Sequence, residues 1–173
     1  FDGEQGCVYI NPDQDVLDEF KKLKAEHENK KLELAKFKGL KTHTLDDRII
    51  KLGGNIGHLK DMDSFEDNDA EAVGLYRTEF LFMDKDKMPS EEEQYQIYSK
   101  IVKRLNNKEC IFRTLDIGGD KNRDYLDIGK EENPFLGYRA IRICLDDKDL
   151  FKAQLKAMLR TSSYGNIGIM FPM

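Results

Sequence analysis

The sequence has 173 residues, 35% of them charged, and a formal net charge of −5. A chain of this length can bury a sizeable core, and its acidic balance speaks against a general nucleic-acid-binding role. No apolar run approaches a membrane span and no signal peptide opens the chain, so a cytoplasmic location is expected. Cys7, Cys110 and Cys144 are widely spaced and form no C-x-x-C pair, which points to reduced structural thiols rather than a metal site.

The chain starts at Phe1 rather than Met and ends on Phe171-Pro172-Met173 without an obvious stop, so it reads as a piece of something longer. Residues 1–12, with glycines at 3 and 6 and the run Cys7-Val8-Tyr9-Ile10, predict a turn and the last strand of a preceding domain. From Asp13, a good N-cap, the residues Val16, Phe20, Leu23, His27, Lys30, Leu34 and Phe37 recur at helical spacing. They predict a helix of about 39 Å to Lys38, stopped by Gly39. His27 and Lys30 spoil the heptad stripe at its centre, which favours a connecting rod over a coiled coil.

Beyond a polar connector, Arg48-Ile49-Ile50-Lys51-Leu52 reads as a strand and Gly53 to Gly57 as its loop. Met62 to Glu71 has weak helical character. The stretch from Ala72 to Phe80 reads as a strand whose Val73, Leu75 and Arg77 share a face. Ser90 and Glu93 form a capping box ahead of a helix with Tyr95, Tyr98, Ile101, Val102 and Leu105 as its buried stripe. The strand from Cys110 runs into the Gly118-Gly119 loop, with Ile111, Arg113 and Leu115 on one face and Phe112, Thr114 and Asp116 on the other. A helix from Asp147 to about Ser162 carries Phe151, Leu155, Met158 and Leu159 and stops near Gly165. Ile167 to Phe171 is one more strand.

Strands alternating with helices predict an α/β fold with a parallel sheet. Two of the strands place an arginine behind aliphatic residues near their carboxyl ends, where α/β barrels keep their sites. Arg77 and Arg113 aimed at one mouth suit a phosphate or carboxylate gripped bidentately. Lys121 would add a point charge behind Gly118-Gly119. The opposite reading of Arg113 is an ordinary turn arginine paired with a local Asp. A closed barrel needs eight strand–helix units and roughly 250 residues, so four strands between Arg48 and Met173 amount to the first half of a (β/α)8 TIM barrel.

Four stretches resemble a known family: Gly74 to Met83 (GLYRTEFLFM), Arg113 to Lys121 (RTLDIGGDK), Glu132 to Arg142 (ENPFLGYRAIR) and Ile169 to Met173 (IMFPM). They are similar to Enzyme I of the bacterial phosphotransferase system, the phosphoenolpyruvate-protein phosphotransferases. The resemblance implies three parts: residues 1–12 as the end of the swivelling phosphohistidine domain, 13–44 as linker helix and connector, and 45–173 as the N-terminal half of a phosphoenolpyruvate-binding TIM barrel. It implies transfer of the phosphoryl group of phosphoenolpyruvate to a histidine of the same protein, then to a phosphocarrier protein serving sugar uptake. It also implies a magnesium cofactor, a homodimeric parent enzyme, and no membrane or nucleic-acid partner.

Carried over to this sequence, Arg77 and Arg113 are substrate-binding residues of the family pattern. Arg139 is a third, or else a structural arginine paired with Glu131 or Glu132. Glu79 and Asp116 either ligate a metal or orient Arg77 and Arg113, the latter being favoured. Asn55 and Lys121 are further candidates at strand ends. The segment bearing the family's phosphoaccepting histidine has no match here, since His27, His43 and His58 lie outside its context, and Cys144 does not match the family's enolate-protonating cysteine. The magnesium ligands are expected in the half of the barrel this sequence lacks, so no catalytic residue and no metal ligand is assigned within it, and the chain alone is expected to be inactive. Three other readings stand beside this one. They are pyruvate phosphate dikinase or phosphoenolpyruvate synthase, which share the barrel; an aldolase-like barrel using Lys121; and a non-catalytic interaction module built on the long helix.

Overall fold

The structure, a computed structural model, describes residues 1–118, 132, 133 and 135–173. Gly119, Lys121 and Glu131, all invoked above, lie outside the described residues. The chain divides into two units, Phe1–Leu40 and Lys41–Met173.

In the first unit, Asp2 and Cys7 exchange two backbone hydrogen bonds of 2.9 and 3.0 Å. The Asp2 carboxylate also accepts from the Glu4 and Gln5 amides, each at 3.0 Å. This closed turn stands where a final strand was expected; Cys7 to Ile10 forms none. Helix α1 spans Gln14–Ala35, and the Asp13 side chain caps it by accepting from the Val16 amide at 3.0 Å. Its regular structure ends three residues short of Lys38, and Gly39 follows at φ +76°. Tyr9 packs edge-on against Phe20, ring centroids 5.5 Å apart.

The second unit is built on four parallel strands in the order β1-β2-β3-β4: β1 Gly53–Ile56, β2 Ala72–Arg77, β3 Cys110–Arg113 and β4 Ile167–Met170. The helices are α2 Asp61–Asp67, α3 Glu79–Met83, α4 Glu91–Arg104, α5 Ile141–Asp146 and α6 Lys148–Thr161. The expected mixed α/β class with a parallel sheet is therefore observed. The capping box of α4 is also as expected: Glu93 N–H donates to Ser90 Oγ at 3.3 Å, and Ser90 N–H donates to Glu93 Oε2 at 2.8 Å.

Several boundaries move. The first strand is Gly53–Ile56, the stretch expected as a loop, while Arg48 to Leu52 is extended connector. Apolar content misled here, because the strands approach so closely that a side chain cannot fit. A Cβ on Gly53 would lie 2.9 Å from the Gly74 Cα, so the two glycines specify the pairing that the aliphatic run does not. β2 ends at Arg77, and Glu79–Met83 turns into α3 rather than prolonging the strand. A further helix, α5, precedes the last one, in a stretch to which the sequence reading assigned no element.

A bulge at Gly74 decides which residues face which way. Gly54 and Asn55 pair with Val73 and Leu75, and Cys110 and Phe112 pair with Val73 and Tyr76, so β2 carries one extra residue. Val73 therefore lies on the same side as Tyr76, not with Arg77 as strict alternation predicted. Val73, Tyr76, Cys110 and Phe112 are buried under the helices, where the rings of Tyr76, Tyr98 and Phe112 pack with centroids 5.0 to 5.8 Å apart. Leu75, Arg77, Ile111 and Arg113 occupy the opposite, half-buried face. The last helix is also rotated from its expected setting. Its buried stripe is Leu150, Gln154, Ala157, Met158 and Thr161, whereas Leu159 is 62% exposed.

Candidate anion-binding site

Arg77 and Arg113 are the last residues of β2 and β3 and stand in register across the two strands. Parallel neighbours are about 4.8 Å apart, and both side chains leave the same face. Two guanidinium groups so placed repel unless other charges intervene. For Arg113 they do: its Nη2 donates to the fully buried Glu79 carboxylate, and its Nη1 lies 3.1 Å from Asp116 Oδ2. The second oxygen of Asp116 accepts from Arg139 Nη2 at 2.9 Å. Asp116 thus joins two arginines, one on each carboxylate oxygen. Both guanidinium groups are largely buried, with 15% of each side chain exposed.

Arg77 is held differently. Its guanidinium lies over the Phe80 ring, 4.8 Å from the centroid, and its buried Nε has no hydrogen-bond partner among the described residues. Among the described residues it forms no salt bridge. It lines a cavity of about 470 Å³ together with Gly54, Asn55, Asp61, Ser64 and Asn68. Among the described residues, Glu79 and Asp116 pair with Arg113 and Arg139, and neither forms an ion pair with Arg77. A dianionic group with several oxygens suits that arrangement.

Two backbone features bring Arg139 in. Gly118 sits at φ +140°, and a Cβ there would come within 2.5 Å of the Arg139 Cβ. Ala140 adopts φ +50° with ψ −120°, unusual for a residue with a side chain, and its N–H donates to the Ile117 carbonyl at 3.0 Å. Strain of this kind persists only where surrounding contacts hold it in place.

The candidates from sequence therefore converge in part. Arg113, Arg139, Glu79 and Asp116 form one ion-paired group, with Arg77 and Asn55 beside it. Arg139 pairs with Asp116; of the glutamates considered above, Glu131 lies outside the described residues, and among the described residues Arg139 forms no ion pair with Glu132. Glu79 and Asp116 serve arginines, and among the described residues no cluster of three His, Cys, Asp or Glu side chains could hold a metal. A magnesium site does not fit the residues seen here. Thr78 and Gln154, both fully buried beneath the site, were missed; two polar residues on an otherwise apolar helix stripe, Gln154 and Thr161, were the available signal.

A parallel α/β sheet with an arginine cluster at its carboxyl ends defines an α/β protein whose strand ends suit an anion. The family description "PEP-utilising enzyme, PEP-binding domain" matches residues 31–173, and the chain belongs to that family. It is 51% identical over 166 residues to a "Phosphoenolpyruvate-protein phosphotransferase" of Haemophilus influenzae, covering 96% of this chain and 29% of that protein. Proteins with the same description from Priestia megaterium and Staphylococcus carnosus are 47% and 46% identical over 172 residues, 99% of this chain and 30% of each relative. The chain thus spans just under a third of the length of these relatives.

Proposed function

We propose that this chain is the part of a phosphoenolpyruvate-protein phosphotransferase that grips the phosphate of phosphoenolpyruvate, with Arg77, Arg113 and Arg139 as the binding residues. The observation that carries the reading is the Arg113–Asp116–Arg139 group beside an Arg77 that, among the described residues, forms no salt bridge. Asp116 and Glu79 hold Arg113 ready, so the guanidinium forks need not reorganise when an anion arrives. Arg77 contributes a third guanidinium. In phosphoryl transfer, positioning and electrostatic compensation do most of the work, and such a grip supplies both.

The remaining parts follow the same reading. Residues 45–173 are the first half of a TIM barrel, a reading supported by four parallel strands whose site-bearing face is only half buried. Residues 13–44 are a linker and 1–12 the end of a phosphohistidine domain. The complete protein is a cytoplasmic homodimer that passes the phosphoryl group to a histidine of its own and then to a phosphocarrier protein for sugar uptake. Magnesium, which would help neutralise the phosphate, is held by residues outside this chain, since Glu79 and Asp116 are already engaged by arginines. This chain alone has no turnover.

The test uses a version extended to the length of the relatives, incubated with phosphoenolpyruvate and magnesium but no nucleotide. One acid-labile phosphoryl group by intact mass is expected, lost on Arg77→Ala or Arg113→Ala. Labelling that requires ATP and inorganic phosphate would move the assignment to a pyruvate phosphate dikinase.

A further inference from the structure

Beneath the arginine group lie buried neutral polar side chains joined in short hydrogen-bonded runs. Gln94 Nε2 donates to the Pro89 carbonyl at 3.0 Å, and the Tyr98 hydroxyl donates to Gln94 Oε1 at 3.1 Å. Gln154 Nε2 donates to Thr78 Oγ1 at 3.1 Å. Thr78 Oγ1 in turn donates to the Arg113 carbonyl at 2.7 Å, while Gln154 Oε1 accepts from the Leu115 amide at 2.9 Å. None of Gln94, Tyr98, Gln154 and Thr78 exposes more than 1% of its surface.

The order of donors is fixed at the end next to the site. The Thr78 hydroxyl has one hydrogen, already given to Arg113, so it must accept from the Gln154 amide. The Gln154 carbonyl is then free for Leu115. A buried network satisfied in only one way holds its members to one geometry, and opening any link leaves several groups unpaired. It also ends on the backbone at the one place that matters for the site. Thr78 pins the carbonyl of Arg113 and Gln154 pins the amide two residues on, while the Thr114 amide between them donates to the Met170 carbonyl at 2.9 Å. The bracketed peptides lead directly into Asp116, which ties Arg113 to Arg139.

We infer that Thr78 and Gln154 are positioning residues, fixing the backbone from Arg113 to Asp116 so that Asp116 can hold Arg113 and Arg139 in one anion-binding geometry. Neither touches the anion. Each acts through the main chain of β3 and the turn after it. The ligand named in the test rests on the function proposed above; the positioning itself does not.

The experiment compares Thr78→Val, which keeps the shape but loses the hydroxyl, with Thr78→Ser, which keeps the hydroxyl. Ile101→Val serves as a control that trims the same buried core without touching the network. All are made in the full chain, and two quantities are read: affinity for phosphoenolpyruvate, and the solvent-exchange rate of the Arg113 guanidinium hydrogens by nuclear magnetic resonance. Thr78→Val is expected to weaken affinity about tenfold and to speed guanidinium exchange by a similar factor. Thr78→Ser stays within about twofold of the parent, and so does Ile101→Val once thermal midpoints are compared. If the parent chain binds no phosphoenolpyruvate, the ligand assignment fails and guanidinium exchange alone decides the positioning. Guanidinium exchange unchanged in Thr78→Val, or equal losses in Thr78→Val and Ile101→Val, overturns it.

Discussion

Arg77 and Arg113 occupy paired positions at the ends of adjacent parallel strands, yet among the described residues only Arg113 is held by carboxylates, from Glu79 and Asp116. Their substitutions should therefore separate stability from binding. Arg77→Met removes a repulsive neighbour and leaves the thermal midpoint unchanged or slightly raised, while phosphoenolpyruvate affinity falls at least tenfold. Arg113→Met strands the fully buried Glu79 and costs about 3–5 kcal/mol in denaturant unfolding. Equal destabilisation by the two changes would show that the pair is not held as described.

Backbone strain around Arg139 gives a second outcome. Ala140 stands at φ +50°, so Ala140→Gly relieves strain worth about 1–3 kcal/mol against a glycine entropy cost of about 0.5–1 kcal/mol. A net gain of about 1 kcal/mol is expected, opposite in sign to the usual Ala→Gly effect. Gly118→Ala meets both a positive φ and the Arg139 Cβ, and should lower stability and anion affinity together.

The acid limb of the stability curve should carry the signature of Glu93. Its hydrogen bond with Lys85, then those with Ser90, lower its pKa from 4.5 to about 2. A carboxylate with a depressed folded-state pKa contributes stability above its unfolded value and loses it as pH falls through the folded one. Helix α4 should thus weaken as pH drops from about 4.5 toward 2. In Glu93→Ala the circular dichroism signal should start lower and change less across that window.

Thiol chemistry discriminates the three cysteines. Cys7 is exposed, whereas Cys110 and Cys144 are fully buried. Burial raises the Cys110 thiol well above its ordinary range and pushes Cys144 up to about 11. Titration with a thiol reagent at neutral pH should give one fast equivalent, abolished by Cys7→Ser, and the other two only on unfolding.

The alternation of elements, the capping box at Ser90 and Glu93, and the position of Arg77 and of Arg113 near the end of its own strand were legible because each depends on residues near in sequence. What escaped depends on contacts between distant segments. Gly53 and Gly74 lie against each other where two backbones approach closely, a fact absent from either glycine alone, and the aliphatic residues just before Gly53 drew the strand to the wrong place. The bulge at Gly74 defeats period-two counting for Val73. Arg139 could be placed near an acidic partner, but Asp116 lies 23 residues away and is brought to it by the turn through Gly118. For α6, the apolar count favoured Leu155 and Leu159, while the buried face includes Gln154 and Thr161 because polar partners await them there.

The bulge in β2 acts as a phase shifter. Before it, Val73 takes its side from the pairing with Cys110; after it, Tyr76 keeps that same side three residues later, and Arg77 gains the opposite one. Deleting Gly74 without other change would leave the strand two choices. It either turns Arg77 into the aromatic cluster and lifts Tyr76 to the mouth, or it turns Val73 out of the core. One inserted glycine lets a single short strand serve an apolar interior with its first half and a charged rim with its last residue.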